Sequence, residues 1–379
     1  MQLRGHWYRG GTSKCWIFDA EDVSRHASTY EEIGSLLADA FGAADARQLD
    51  GVGGGTSTTS KAAVVWATPG GPADLDYLFA QVGIGDSTVE LGSNCGNCAT
   101  AIALYAVQSG IISPSEDTTR VSLRNLNTGA VLGGTIATPG RRVPTSGHAT
   151  VPGSNAPGVP VGLSFRAPWG QTTGALLPTG SPSDEIAANG CGVTATLVDA
   201  GAPAVLIPAE EIGVDLSSMS DNLSEHLSQL IDARASAGLA MGLRKPGDPP
   251  QNAVPKVGIV APPGDYTAAD GTRITADSHD LRVRMLSMLA PHPAIGLTSA
   301  VAVSLAAALP GSVVAKALPP AHDAHSGPLL LRIGTPAGVI TTEVVTDDAG
   351  NVIEVALRRA ARHLAVADID LARPVPQTA

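Results

Sequence analysis

The sequence predicts an α+β fold in two halves, each with several short strands and one strongly apolar helix. The chain has 379 residues, which is too long for one ordinary core and suits two domains of about 150–200 residues each. Its 43 glycines and 28 prolines are spread along the chain, as expected for many turns between short elements. With 44% hydrophobic and 16% charged residues, the composition is typical of a folded protein.

The predicted strands are short runs rich in β-branched and other apolar residues. They cover residues 62–66, 122–126, 194–198, 257–260, 329–333 and 339–344. Two apolar helices are predicted at about 95–109 and 298–309, each after a turn of glycines or small residues. Two surface helices, which mix apolar and charged positions, are predicted at about 29–41 and 223–238.

Residues 139–161 are rich in Pro, Gly, Ser and Thr, so we expect a long surface connection there. A domain boundary is expected within the Pro- and Gly-containing region at 180–190. The predicted domains are therefore 1–185 and 186–379, and this division leaves the last residues free to pack back on the first domain. No strict short repeat is visible, which argues against a solenoid.

Charge and composition exclude several classes of protein. The net charge of −11 and the aromatic content of 3% disfavour nucleic-acid binding. The longest apolar-leaning run, 294–309, contains Thr298, Ser299 and Ser304 and is shorter than a membrane span. The segment Met1–His6 lacks the apolar core of a signal peptide, and four cysteines are too few for a disulfide framework. We therefore expect a cytoplasmic protein that binds neither membrane nor nucleic acid.

The first candidate segment is Arg9-Gly10-Gly11-Thr12-Ser13-Lys14. Its glycines allow unusual backbone angles and close approach of a ligand. The hydroxyls of Thr12 and Ser13 and the charges of Arg9 and Lys14 suit a carboxylate. The alternative is an ordinary glycine turn between strands.

The second candidate segment runs from Gly53 to Lys61 and carries the hydroxyls of Ser57 and Ser60. A phosphate-binding P-loop is excluded because Ser60 precedes Lys61, whereas that motif has Gly-Lys-Ser/Thr. Lys61 opens an apolar strand, and two interpretations stand. Either its ammonium reaches solvent along an apolar stem, or it lies in a partly dry cleft where it acts as a base.

The third segment, Ser93-Asn94-Cys95-Gly96-Asn97-Cys98, lies where the first apolar helix begins. Asn94 or Ser93 is expected to cap that helix. A helix N-terminus favours the thiolate of Cys95, and its free N–H groups, near Gly96 and Asn97, bind carboxylates. The spacing of Cys95 and Cys98 also matches half a zinc site or a redox pair. The sequence offers no second pair of ligands for zinc and lacks the pattern around a redox pair, so neither is favoured.

The other cysteines, Cys15, Cys98 and Cys191, are expected to be structural. The fourth segment, Pro291–Ser299, opens the second apolar helix, whose N-terminus offers a second anion site beside the hydroxyls of Thr298 and Ser299. His292 in this segment is either a ligand or acid, or a structural histidine.

These segments together resemble the PrpF-type 2-methylaconitate cis-trans isomerase family, whose relatives include 4-oxalomesaconate tautomerase or Δ-isomerase and methylitaconate isomerase. The resemblance covers nearly the whole chain in family order. The matching segments are Arg9-Gly-Gly-Thr-Ser-Lys14, Asp50-Gly-Val-Gly-Gly54, Thr59-Ser60-Lys61, Asp76-Tyr-Leu-Phe-Ala-Gln81, Asn94-Cys-Gly-Asn97, Leu177-Pro-Thr-Gly180, Leu197-Val-Asp-Ala-Gly201, Met241-Gly-Leu243, Val254-Pro-Lys256 and Arg284-Met-Leu-Ser-Met288.

The resemblance implies a diaminopimelate-epimerase-like fold, with two similar domains that each wrap a β-barrel-like sheet around a central helix. It implies an active site where the two helix N-termini face each other, with Lys61 and Cys95 as the catalytic pair. It also implies an allylic proton shift, either cis-trans or double-bond isomerisation, on a small unsaturated di- or tricarboxylic acid. No cofactor or metal is expected, and a homodimer is the family-level expectation.

Four departures from the family pattern leave the substrate open. Cys15 stands where the family usually has Gly, and Cys98 where it has a large aliphatic residue. The segment from His292 to Ala300 and the segment Thr335–Gly338 also differ from the usual family sequences.

Two other functions remain open from the sequence. One is a non-catalytic polycarboxylate-binding accessory protein of an iron–sulfur hydratase. The other is a racemase or epimerase on the same fold, which is disfavoured because the second helix start carries no thiol. Within the isomerase hypothesis, Lys61 is the base and Cys95 the acid, or the reverse.

Overall fold

The computed structural model describes residues 2–91, 94–220, 223–248, 254–287, 289–319, 329–347 and 352–371. Internal contacts divide the chain into two units, Met1–Ser164 with Arg358–Ala379 (unit 1) and Phe165–Leu357 (unit 2). This division, between residues 164 and 165, comes earlier in the chain than the predicted boundary between residues 185 and 186. The C-terminal strand pairs with the first strand of the chain.

Unit 1 consists of strands around one long buried helix. Its strands are β1 (Gln2–Gly10), β2 (Ser13–Asp19), β3 (Lys61–Ala67), β4 (Leu75–Val82), β5 (Val89–Glu90), β6 (Thr118–Asn125), β7 (Val131–Ala137), β8 (Ala149–Val151) and β9 (Ser154–Arg166). Its helices are α1 (Ala20–Ser24), α2 (Tyr30–Phe41) and α3 (Gly96–Gln108), with a 3₁₀ turn at Pro139–Arg141.

Unit 2 has the same kinds of element in a similar order. Its strands are β10 (Asp184–Ala188), β11 (Cys191–Ala200), β12 (Ala202–Pro208), β13 (Lys256–Ala261), β14 (Tyr266–Thr267), β15 (Arg273–Ile274), β16 (Leu281–Ser287), β17 (Ala290–Pro291), β18 (Leu329–Thr335) and β19 (Gly338–Thr346), followed by β20 (Val352–Asp370), which continues into unit 1. Its helices are α4 (Ala209–Ile212), α5 (Leu227–Ala240), α6 (Leu297–Ala307) and α7 (Val313–Ala317), with 3₁₀ turns at Ser224–His226 and Ala276–Ser278.

The sheet of unit 1 closes on itself. Strands pair in the order β1, β2, β3, β4, β6, β7, β9, β20 and back to β1. Helix α3 contacts β1, β2, β3, β6 and β7, and its side chains from Cys98 to Val107 are buried. A helix that is apolar on all faces must be buried, and the strands that α3 contacts provide that burial.

The sheet of unit 2 repeats the pairing pattern of unit 1. In unit 1 the pairs from β1 to β7 alternate antiparallel, parallel, antiparallel, parallel and antiparallel. The pairs β11–β12, β12–β13, β13–β16, β16–β18 and β18–β19 follow the same alternation. Helix α6 packs against β11, β12 and β19, with its side chains from Ser299 to Ala307 buried. The prediction of two similar domains, each built around one apolar helix, is confirmed.

The predicted helices and strands are present, with small shifts at their ends. Thr29 caps α2 through a capping box with Glu32, in which each side chain bonds to the other residue's backbone N–H. The second surface helix begins later than predicted, because a 3₁₀ turn precedes α5. Among the described residues, no helix is long and apolar enough to cross a membrane.

The prediction of a long surface connection at residues 139–161 is wrong. Residues Ser154–Arg166 form β9, which pairs with β7 and β20. Val159, Val161, Leu163 and Phe165 alternate along β9 and are buried on one face, as the two-residue period of a strand requires. The surrounding glycines and prolines hid this alternation in the sequence.

Gly10 lets the turn between β1 and β2 lie directly against α3. An ideal Cβ at this position would lie 1.9 Å from the backbone oxygen of Asn97. We expect Gly10→Ala to lower stability by about 1–3 kcal/mol, because backbone must move to relieve the contact. Gly34→Ala in α2 is the control: its Cβ meets only Val89, at 3.8 Å, and should stabilise the helix by about 0.5–1 kcal/mol. Equal melting temperatures for Gly10→Ala and wild type would contradict this assignment.

Candidate active site

Cys95 occupies the N-cap position of α3, and its side chain makes no capping hydrogen bond. The predicted cap by Asn94 is wrong, because Asn94 Oδ1 instead accepts a hydrogen bond of 2.8 Å from the hydroxyl of Tyr77. Ser93, the other predicted cap, lies outside the described residues. The first turn of α3 therefore begins at a thiol.

The half-buried thiol of Cys95 is hydrogen-bonded to Cys98 and lies within the electrostatic influence of Lys61. Its pKa is raised well above the ordinary value, mainly by its hydrogen bond with Cys98 and then by burial, whereas the charge of Lys61 acts to lower it. The helix N-terminus, which was expected to favour the thiolate, is opposed here by the hydrogen bond with Cys98 and by burial. The neutral thiol is the form that can donate a proton.

Cys15 and Cys98 lie behind Cys95 in the core of unit 1. Both are buried, and the side chain of Cys98 is hydrogen-bonded to the thiols of Cys15 and Cys95. Burial fits the structural roles predicted for these two cysteines. Cys191 is exposed at the start of β11.

Lys61 is the first residue of β3 and is half-buried. Its ammonium donates a hydrogen bond to Gln81 Oε1 and lies 5.2 Å from the ring centroid of Phe79. Gln81 stands opposite Lys61 in the β3–β4 pair, and its own Nε2 donates to the carbonyl of Ser60. The side chain is therefore held in place rather than extended freely into solvent, and its role as a base remains a prediction.

Ser60 and Gln48 fix the loop that leads into Lys61. Ser60 is completely buried, and its hydroxyl donates to Gln48 Oε1 at 2.6 Å. The same oxygen accepts from the N–H of Gly55, and Gln48 Nε2 donates to the carbonyl of Gly83. Ser60, predicted to bind substrate, instead has its hydroxyl engaged within the loop. Ser57 is exposed.

Asn97, in the first turn of α3, joins the β1–β2 turn to the helix. Its Nδ2 donates to the hydroxyls of Thr12 and Ser13 at 3.1 and 3.2 Å. Arg9 is buried and donates to the carbonyls of Gly11 and Pro157, so its guanidinium supports the backbone. Four of the predicted residues thus lie in one hydrogen-bonded region beside Cys95.

Lys14 is directed differently from its neighbours in the turn. Its ammonium lies 4.7 Å from the ring centroid of Trp7, in a cation–π contact. Its predicted role in substrate binding remains a prediction.

Arg359 on β20 is a residue of this region that the sequence segments do not include. It is 9% exposed, and its Nη2 donates to Asn97 Oδ1 at 2.7 Å. Its pKa is lowered to about 10, mainly by burial; Cys95 acts to raise it, and the charge of Arg9 acts to lower it. The signal in the sequence was the alternation with Val355, Leu357 and Ala361, which are all buried on the same face of β20.

In unit 2, the predicted residues gather at the start of α6. Gly296 is the N-cap, Thr298 is half-buried and Ser299 is buried. His292 Nδ1 accepts the N–H of Ala294 at 3.0 Å, and burial lowers the pKa of His292. His292 is therefore neutral near pH 7, with its proton on Nε2.

Lys256 is the first residue of β13, which is the position that Lys61 has in β3. Its charge is near enough to His292 to lower the pKa of that residue further. Within the described ranges, no group of three or more His, Cys, Asp or Glu side chains could hold a metal ion.

Comparison with known proteins gives one consistent family. The family model described as "PrpF protein" matches residues 2–371. The chain is 36% identical to the (4E)-oxalomesaconate Delta-isomerase of Novosphingobium sp. (strain KA1), over 94% of each chain. It is 31% identical to the 2-methyl-aconitate isomerase of Shewanella oneidensis, over 99% of this chain and 98% of the relative.

Among solved structures, the fold is similar to that of a methylitaconate-delta-isomerase. The TM-score is 0.86 at 28% identity, and the match covers 100% of this chain and 99% of the other. The expected epimerase-like fold of two similar domains is confirmed by this likeness.

Proposed function

The chain belongs to the PrpF protein family, and on that premise we propose that it isomerises a small unsaturated di- or tricarboxylic acid through an allylic proton shift at Lys61 and Cys95. It is an enzyme of the isomerase class. Its relatives are named for oxalomesaconate, 2-methylaconitate and methylitaconate, which are all unsaturated polycarboxylic acids. This shared chemistry defines the substrate class.

The observation that carries the proposal is the arrangement of Lys61 and Cys95. Lys61 is oriented by Gln81, and its charge acts on the thiol of Cys95 at the start of α3. A base and a neutral thiol close together are the two groups that a proton shift between carbons requires. Both are predicted catalytic residues, and their roles are proposed here.

In the proposed reaction, Lys61 is the base that removes a proton from the carbon next to the double bond. The electron pair moves into the conjugated carboxylate and gives a dienolate. The N–H groups in the first turn of α3 and the hydroxyls of Thr12 and Ser13 are suited to stabilise its negative charge. Cys95 then donates a proton to the far carbon, or to the original carbon after bond rotation. The thiolate that remains takes up a proton again from solvent or from Lys61.

Proton NMR in D₂O tests this function. We expect the purified protein to exchange deuterium into at least one acid of a panel of aconitate, methylaconitate, oxalomesaconate and methylitaconate, without added cofactor. Exchange accompanied by a new isomer supports the isomerase. Binding of an acid without exchange would favour the alternative of a polycarboxylate-binding accessory protein.

A racemase is disfavoured by a difference between the two units. The N-cap of α3 is Cys95, whereas the N-cap of α6 is Gly296. A symmetric racemase of this fold needs a thiol at both positions. Inversion of a saturated amino acid such as proline, without activity on the unsaturated acids, would contradict the proposed reaction.

A further inference from the structure

Arg359 is a buried guanidinium that has no acidic partner among the described residues. In the described part of the chain, no ion pair joins Arg359 to an Asp or Glu side chain, and its Nε has no hydrogen-bond partner. Its one side-chain hydrogen bond there goes to the neutral amide of Asn97. Burial of an uncompensated charge is costly, so such a group is retained where a ligand supplies the opposite charge.

The surroundings of Arg359 specify the kind of ligand. An ideal Cβ on Gly11 would lie 2.5 Å from Arg359 Nη2 and 2.1 Å from Asn97 Oδ1. Any larger residue at position 11 would therefore clash with the guanidinium, and glycine avoids this clash. Asn97 belongs to the first turn of α3, whose N-cap is Cys95. The guanidinium and the helix N-terminus therefore place positive potential on the same small region.

Two anions are candidates to neutralise the positive charge of Arg359, namely the thiolate of Cys95 and a bound carboxylate. Cys95 is a neutral thiol at neutral pH, because Cys98 and burial both oppose its ionisation. The thiolate is therefore not the counter-charge in the resting enzyme. A planar carboxylate matches the fork of a guanidinium through two parallel hydrogen bonds.

We infer that Arg359 is a specificity-determining residue, which binds one carboxylate of the substrate beside Cys95 while Asn97 holds its guanidinium in position. This inference rests on the proposed function, because it assigns one part of the same site. In this arrangement, the carboxylate nearest the reacting carbons is the one that Arg359 receives. Arg9 supports the backbone of the β1–β2 turn and has a different role.

The test compares Arg359→Gln, Arg359→Lys and the control Arg358→Gln, which removes the same charge from the exposed neighbouring position on β20. The probe is tricarballylate, a saturated tricarboxylate that cannot isomerise, and its affinity is measured by calorimetry. We expect Arg359→Gln to weaken binding by about 10- to 100-fold. Arg359→Lys should be intermediate, because it keeps the charge and loses the two-pronged geometry. Arg358→Gln should bind like wild type.

Two further measurements separate binding from a structural role. Arg359→Gln should keep or raise the melting temperature, because it removes a buried charge that has no acidic partner. Binding by Arg359→Ala should be restored in part by added methylguanidinium, which a purely structural defect would not allow. The proposal is overturned if wild type does not bind tricarballylate or if Arg359→Gln binds it equally well.

The outcomes also distinguish this inference from the proposed function. If no acid exchanges deuterium and tricarballylate binding still depends on Arg359, the carboxylate site stands and the isomerase proposal fails. If an acid is isomerised with the same KM by wild type and Arg359→Gln, the isomerase stands and the role of Arg359 is refuted.

Discussion

Lys61→Ala should reduce kcat by about 10²- to 10⁴-fold on any acid that the wild-type enzyme isomerises. The reason is the loss of the base, since Gln81 orients the Lys61 ammonium but cannot itself accept a proton from carbon. The same variant should lose deuterium exchange from D₂O, because exchange starts with proton removal. Both quantities are measured in one NMR time course.

Lys316→Ala is the matched control for Lys61→Ala. Lys316 is an exposed lysine in the short helix α7, so its removal changes the net charge equally without altering the candidate site. It should retain wild-type turnover. Near-wild-type activity in Lys61→Ala, with the fold intact by circular dichroism, would refute the assignment of Lys61.

Cys95→Ala should cause a similar loss of isomerisation, about 10²- to 10⁴-fold, but should keep part of the deuterium exchange. If Lys61 removes the proton and Cys95 delivers one to the far carbon, Lys61 can still return deuterium to the original carbon of the substrate. Exchange would then continue without a new isomer. For cis-trans isomerisation, in which the original carbon is reprotonated, slow product formation would accompany the exchange.

The two variants together decide which group is the base. Exchange that persists in Lys61→Ala and disappears in Cys95→Ala would reverse the roles. Cys191→Ala, an exposed thiol on β11, is the control and should behave as wild type. Because the pKa of Cys95 is raised, we also expect the loss of the Cys95 proton to lower kcat only above the ordinary range of a thiol.

The apolar pattern was enough to predict the parts of the fold that are buried on all sides. Helices α3 and α6 are long apolar runs after small-residue turns. Few structures other than a buried helix fit that sequence pattern. β9 was missed because Pro157, Gly158 and Pro160 interrupt its alternation. Strand pairing with β7 and β20 overrides these local turn preferences, and such distant pairing is not visible in a single segment.

The candidate site was predicted only in part, for a related reason. Short sequence segments were enough to identify Lys61, Cys95 and Asn97 as candidates. Arg359 belongs to β20, which is distant in sequence and reaches this region by pairing with β1. The pKa of Cys95 also depends on contacts that are not visible in the sequence. The helix N-terminus was visible in the sequence, but the contact of its thiol with Cys98 and its burial were not.

The position of β20 in the closed sheet of unit 1 has a consequence for folding during synthesis. The ring from β1 to β9 stays open until residues 358–370 have left the ribosome, because β20 is the strand that joins β9 to β1. The part of β20 that pairs with β19 is made earlier, so unit 2 has its strands before unit 1 does. We therefore expect unit 2 to complete its sheet before unit 1, the reverse of the usual order in which the N-terminal domain finishes folding first.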